Sequence, residues 1–128
     1  MTKELLFESY TKLMEVMYQY AFFGDISFND FEKLDTDLKL KAIDIIKRKD
    51  EVDALISKNL TNYTIDRLNL VDLAIIRISV YELLIGELDP VKVINLGIDL
   101  SKEFSDLDDE KQHKFTNRLL DNIYKGLK

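Results

Sequence analysis

The fold is decided by one stretch of the chain, RLNLVDLAIIRISVYELLIG at residues 67–86. Apolar side chains recur within it at spacings of three and four, the period of a helical face, in a stripe that begins with Leu73 and Ile76. Asn69 can cap the amides at the start of this helix, and Gly86 can end it. Other apolar residues fall on its remaining sides, as expected for a helix surrounded by helices. The stretch therefore predicts the central helix of an all-helical core.

Helical periods continue on both sides of this stretch. Long helices are predicted from about Thr2 to Phe23, from Thr36 to about Asn59 and from Asp89-Pro90 to about Phe104. Two short helical segments are predicted, one that starts near Ser27 and Asp30 and one that holds Arg67. A last helix ends near Gly126. No strand is predicted. The fold class is therefore all-α, a single domain over residues 1–128 with about six or seven helices.

The composition limits the possible functions. The chain has 18 basic and 24 acidic residues and a formal charge of −6, whereas domains that bind nucleic acid on their own are usually basic. With no cysteine and a single histidine, His113, we expect no disulfide and no metal site. No signal peptide or unbroken membrane-spanning segment is visible, so the cytoplasm is the expected location.

No enzyme signature is present. The four glycines stand alone, so no phosphate-binding loop is predicted, and a serine nucleophile would depend on His113. The basic cluster at residues 47–49 is surrounded by acids and indicates a solvated helix face. Another charged run, Asp106, Asp108, Asp109 and Glu110, lacks the glycine and terminal glutamate of a calcium loop, and it indicates the negatively charged start of a helix.

Three blocks in the second half carry a family resemblance. They are Arg67–Arg77 followed by Tyr81-Glu82-Leu83, then Pro90–Asn95 with Asp99–Lys102, and last Lys114–Asp121. In order and spacing they resemble the NusB family of bacterial transcription antitermination factors. The resemblance covers residues 63–124, and the first half is similar mainly in its helix pattern.

The resemblance implies a fold and a function. We expect two helical subdomains packed into one domain, without enzymatic activity or cofactor. Family members bind the boxA element of nascent RNA together with NusE, a small-subunit ribosomal protein, and this complex helps RNA polymerase to pass terminators. The chain is therefore expected to be an RNA-binding adaptor acting with NusE on boxA-type RNA and RNA polymerase.

Some residues depart from the family pattern. Where family members typically open with an arginine-rich run, this chain has Leu5–Tyr10, with no arginine and one acid. The family's Asn-Glu-Ala reads Asn95-Leu96-Gly97, and a family glycine is replaced by Arg118. These departures and the acidic charge motivate an alternative, a NusB-fold protein-interaction module that has lost RNA binding. A substrate-binding subunit of an RNA methyltransferase, acting in trans, is a third hypothesis.

The last predicted helix holds the candidate RNA-binding residues. Its cations are spaced so that they share one helical face, with an aromatic and an amide side chain beside them. The candidates are Lys111, Lys114, Phe115, Asn117 and Arg118, with Lys125 further along the same face. The alternative interpretation is a solvated basic stripe with Phe115 in the core.

Two further residues are candidates for protein binding. Tyr18 and Glu82 match positions on or near the NusE-facing side of the family. Tyr18 also falls in the predicted buried stripe of the first helix, so a buried tyrosine with a satisfied hydroxyl explains it equally well. For Glu82 the alternative is a local ion pair. Arg77, inside an apolar helix, is predicted to form an internal ion pair rather than a site.

Overall fold

The computed structural model describes residues 2–26, 29–62, 64–106 and 111–128. Within these ranges the chain forms seven α-helices and no strand, which confirms the predicted all-α class. The helices are α1 (Lys3–Phe23), α2 (Asn29–Glu32), α3 (Thr36–Lys47), α4 (Lys49–Asn59), α5 (Leu70–Ile85), α6 (Pro90–Phe104) and α7 (Lys111–Leu127). A single turn of 3-10 helix, Ile65–Arg67, connects α4 to α5.

Local signals in the sequence set most of the helix ends. The Asn69 side chain accepts a hydrogen bond from the Asp72 amide at 2.8 Å and caps α5. Gly86 ends α5 in the left-handed conformation, at φ 75°, which glycine adopts without steric cost. Asp89 accepts from the Val91 amide at 3.0 Å and starts α6 ahead of a proline that has no amide to satisfy. These predicted boundaries are confirmed.

Helix α5 is the centre of the molecule. Most of its side chains are buried, and α1, α3, α4, α6 and α7 all contact it. Its Ile75 and Ile76 are fully buried and belong to one apolar cluster with residues of the surrounding helices, such as Leu13 of α1, Ile56 of α4 and Leu120 of α7. Both halves of the chain therefore share one core, as the apolar pattern of α5 predicted.

One predicted helix is divided in two. The sequence predicted a continuous helix from Thr36 to about Asn59, but α3 ends at Lys47 and α4 begins at Lys49. Arg48 between them has φ −96° and ψ 11°, outside the helical range. Helix α3 packs on α1 and α5, whereas α4 packs on α5 and α7. Both parts contact α5, but the first also packs on α1 and the second on α7, and this difference accounts for the break.

Some sequence interpretations lie outside the described residues. They concern Ser27, Tyr63, Asp108, Asp109 and Glu110. Among the helices that are described, none combines the length and the apolar character needed to cross a bilayer.

Candidate RNA-binding face and partner groove

Helix α7 separates its apolar and basic side chains. Thr116, Leu119, Leu120 and Ile123 are buried, and α7 packs mainly on α6. The opposite side, which we call the α7 basic face, is exposed and consists of Lys111, Lys114, Asn117, Arg118 and Lys125. The predicted sharing of one helical face is confirmed. The geometry gives a linear array of cations and an amide along about four helical turns.

The surroundings of Phe115 and Lys125 make these two residues weaker candidates for RNA contact. Phe115 is partly buried and packs against the core, so its ring is less accessible than the neighbouring cations. Lys125 forms an ion pair with Asp121 at 2.8 Å, one turn earlier on the helix. This carboxylate offsets part of the Lys125 charge.

The start of α7 is held by Asp106. One oxygen of its carboxylate accepts from the backbone amide of His113 at 3.0 Å, and the other lies 2.6 Å from Nδ1 of the His113 ring. Burial opposes ionisation of Asp106, but the hydrogen bonds from His113 outweigh it and hold the pKa of that carboxyl below its ordinary value. This geometry gives His113 a structural role at the start of α7.

Tyr18 lies on the surface, so the interpretation of Tyr18 as buried is wrong. Its side chain is 38% exposed and stacks on Phe22, with ring centroids 6.5 Å apart. Phe22 and the adjacent Phe23 are still more exposed, at 60% and 59%, and their rings meet edge to face at 4.7 Å. Sequence reasoning did not single out these two phenylalanines, although an adjacent aromatic pair just before Gly24 was a readable signal.

A groove lies beside Tyr18, where the end of α1 meets the start of α5 and the end of α6. It encloses about 340 Å³. Its lining, which defines the Tyr18 groove, comprises Tyr18, Phe22, Asn69, Leu70, Val71, Phe104 and Ser105. Aromatic and aliphatic side chains dominate it, and such surfaces are typical of protein interfaces.

Glu82 is buried, so the structure does not support its predicted role in protein binding. Its side chain is 2% exposed and faces inward, where it accepts hydrogen bonds from the Tyr10 hydroxyl and from Lys41 Nζ, the latter at 2.5 Å. Burial raises the pKa of Glu82 to about 7, and the nearby Glu87 adds to the rise. Burial also lowers the pKa of Lys41. An internal ion pair with Lys41, which is distant in the sequence, therefore accounts for Glu82, and its burial leaves no exposed carboxylate for a protein partner.

A second cavity, of about 630 Å³, lies between the first turns of α1 and the middle of α6. Two cations line it, Lys3 and Lys92, together with three acids, Glu4, Glu8 and Asp99. Lys3 is moreover within 3.8 Å of the Asp99 carboxylate. This region corresponds to the start of the chain, where the family's arginines are missing, and its acids make it unfavourable for phosphate groups.

Comparisons with known proteins agree with this architecture. The sequence model of the NusB family matches residues 15–125. The chain belongs to the NusB family. It is 44% identical over 99 residues to the transcription antitermination protein NusB of Clostridium botulinum (strain Alaska E43 / Type E3), covering 76% of this chain and 72% of that one. For the Bacillus subtilis (strain 168) NusB the identity is 39% over 95 residues, covering 73% and 70%.

Solved structures give the same result for the fold. A NusB structure from T. maritima superposes with a TM-score of 0.74 at 26% identity, covering 93% of this chain and 89% of that chain. A chain from the crystal structure of a plectonemic RNA supercoil superposes with a TM-score of 0.77, also at 26% identity, and covers 99% and 97%. The predicted NusB-like fold and the membership in a transcription antitermination family are thus confirmed.

Proposed function

We propose that this NusB-family chain is a transcription antitermination factor that binds boxA-type RNA jointly with NusE, within an RNA polymerase complex. The observation that carries the proposal is the α7 basic face, on which Lys111, Lys114 and Arg118 are exposed on one side of a helix. The alternative, an interaction module that has lost RNA binding, rests on the acids near the start of α1 and does not account for the α7 basic face. A factor of this kind acts where bacterial transcription takes place, so the proposal includes a cytoplasmic location.

The charge distribution supports the proposal that a second protein contributes to RNA binding. The chain as a whole carries a charge of −6, so its overall field repels RNA at low salt. The first turns of α1, where the family's arginines would lie, contribute more acids than cations to the neighbouring cavity. The α7 basic face therefore offers a few phosphate contacts, each of which releases counterions. We expect weak RNA binding by the chain alone and stronger binding when NusE adds its own contacts.

The Tyr18 groove is the proposed surface for NusE. Tyr18 and Phe22 present exposed rings beside an apolar groove, and clustered aromatic residues commonly provide most of the binding energy of an interface. Ser105 lines this groove, and the next residue, Asp106, contacts the start of α7. NusE bound in the groove would therefore lie close to one end of the α7 basic face, where RNA can bridge the two proteins.

A binding titration tests the proposal. Fluorescence anisotropy of a labelled boxA-type RNA is followed as this protein is added, with and without NusE, at low and at near-physiological salt. We expect weak, salt-sensitive binding by the chain alone and a clear gain in affinity with NusE. A stable complex with NusE that leaves RNA affinity unchanged would favour the protein-interaction module and overturn the RNA part of the proposal.

A further inference from the structure

The short segment Ser105-Asp106 ties three helices together where α7 begins. The amides of both residues donate to the Ser101 carbonyl at 2.9 Å, which anchors the segment to the end of α6. The Ser105 hydroxyl donates to Asp72 in the first turn of α5, and Asn69 Nδ2 donates to the same carboxylate at 2.8 Å. The Asp106 side chain therefore projects from a backbone that is fixed relative to α5 and α6.

From this position Asp106 holds the first turn of α7 at two points. It accepts from the backbone amide of His113 and contacts the Nδ1 atom of the same residue. The first four amides of a helix have no partner within the helix, so an outside acceptor keeps the first turn from fraying. The side chains of His113 and Asp106 are only 14% and 16% exposed, so the contact is largely sheltered from water.

His113 lies between two cations of the α7 basic face. Lys114 follows it directly and Lys111 precedes it by two residues, and both are exposed. We infer that Asp106 and His113 are a positioning pair for RNA recognition, which fixes the first turn of α7 and thereby the backbone that carries Lys111 and Lys114. This inference rests on the proposed RNA-binding function. The pair itself acts through the lysines rather than on the RNA.

Preorganisation gives the pair its effect on affinity. If the first turn frays, Lys111 and Lys114 spread over many arrangements, and RNA binding must then restore their order at a cost in affinity. Asp106→Ala removes the acceptor, and we expect it to weaken RNA binding about five- to tenfold, within the range for loss of an ordinary hydrogen bond. Simple electrostatics predicts the opposite sign, because the variant removes a negative charge close to the basic face.

The test compares Asp106→Ala, His113→Ala and His113→Asn in the full chain. The asparagine amide can donate from near the Nδ1 position, so we expect His113→Asn to bind RNA within about twofold of the wild type while the two alanine variants bind weakly. In hydrogen exchange without RNA, the His113 amide should lose protection in Asp106→Ala. Affinity for NusE should stay within about twofold in all three variants, since the Tyr18 groove is unchanged.

The outcomes separate the inference from the proposed function. If the wild type binds no RNA with or without NusE, the proposed function fails and the inference fails with it. If the wild type binds RNA and Asp106→Ala binds equally well or more tightly, the inference alone is overturned. A parallel loss of NusE affinity, or failure of His113→Asn to restore RNA affinity, would also overturn it, since either indicates general damage to the fold.

Discussion

Arg77 of α5 and Asp53 of α4 form an ion pair with two hydrogen bonds, in which Nε donates to Oδ1 and Nη2 donates to Oδ2, each at 2.9 Å. The Arg77 side chain is 9% exposed and that of Asp53 is 21% exposed. A charge in the most buried helix is thus compensated by a carboxylate 24 residues earlier in the chain. The sequence predicted an internal pair for Arg77, and the structure confirms it and identifies the partner.

Replacing Arg77 by methionine should destabilise the fold. The variant leaves the Asp53 carboxylate partly buried without its partner, and breaking a buried pair from one side costs about 3 kcal/mol or more. Urea denaturation should show this loss in the free energy of unfolding. The double variant Arg77→Met with Asp53→Ala should lose less, because no carboxylate remains unpaired. A single variant as stable as the wild type would show that the pair contributes nothing.

The Lys41–Glu82 pair should give stability a measurable pH dependence. Burial raises the pKa of Glu82 above its unfolded value, so its contribution to stability is present at low pH and is lost as the pH rises through the folded pKa. Lys41→Met removes the cation that opposes this rise. We expect the variant to lose more stability at pH 8 than at pH 5, by about 1.4 kcal/mol for each further unit of pKa.

Glu82→Gln provides the control for this experiment. In the double variant Lys41→Met with Glu82→Gln no carboxyl is left at position 82 to titrate, so the extra loss at pH 8 should disappear. A single variant Lys41→Met whose loss is equal at pH 5 and pH 8 would contradict the assignment of Glu82 as the titrating group.

Gly97 marks a close approach of α5, α6 and α7. A Cβ atom at this position would lie 2.9 Å from both Leu120 Cδ1 and Ser79 Oγ, and the Ser79 hydroxyl is itself held by the Ile75 carbonyl at 2.8 Å. Gly97→Ala should therefore destabilise the chain by about 1 to 2 kcal/mol in thermal or urea unfolding. The substitution is informative because it introduces the alanine of the family pattern.

Two companion variants test the cause. Gly126→Ala, with open space around its Cβ in the same protein, should be neutral or slightly stabilising. Adding Ser79→Ala to Gly97→Ala should recover part of the loss, because it removes one of the two close contacts. If Gly97→Ala were as stable as Gly126→Ala, this result would contradict the close approach of the three helices at Gly97.

The Tyr18 groove makes a prediction about NusE. Tyr18→Ala and Phe22→Ala remove exposed rings that line the groove, and each should weaken NusE binding about tenfold or more in calorimetry. Binding of RNA by the chain alone should not change. Leu40→Ala, which removes an apolar side chain of α3 that is as exposed as Phe22 but lies outside the groove, is the matched control and should leave NusE affinity unchanged. Equal effects of all three variants on NusE affinity would contradict the placement of the NusE site in the Tyr18 groove.

The central helix could be predicted because its signals are local. Asn69 and Gly86 act on backbone groups within four residues of themselves, so their role can be read without knowing the fold. The break at Arg48 has no such signal, since neither glycine nor proline marks it. It depends on which helices α3 and α4 meet, and that is a property of the tertiary structure.

For the candidate site, too, some features could be predicted from local sequence and others depend on the tertiary structure. The exposure of Lys111, Lys114 and Arg118 follows from the period of one helix. Tyr18 follows Met17 directly, so it lies about 100° around α1 from a fully buried side chain, and its exposure depends on the helices that flank that edge. The partner of Glu82 is Lys41, which is 41 residues away, and no spacing rule connects them.

Charge variants test most directly whether the α7 basic face binds RNA. Lys114→Ala with Arg118→Ala is compared with Lys47→Ala and Lys49→Ala together, which removes the same charge from the junction of α3 and α4. The measurement is the anisotropy of labelled boxA-type RNA with NusE present, over a series of salt concentrations. We predict that the α7 variant weakens binding and lowers the slope of log K against log salt by about 1.4, the value for two lost single-strand phosphate contacts. The control should keep the slope of the wild type, and equal behaviour of the two variants would contradict the claim.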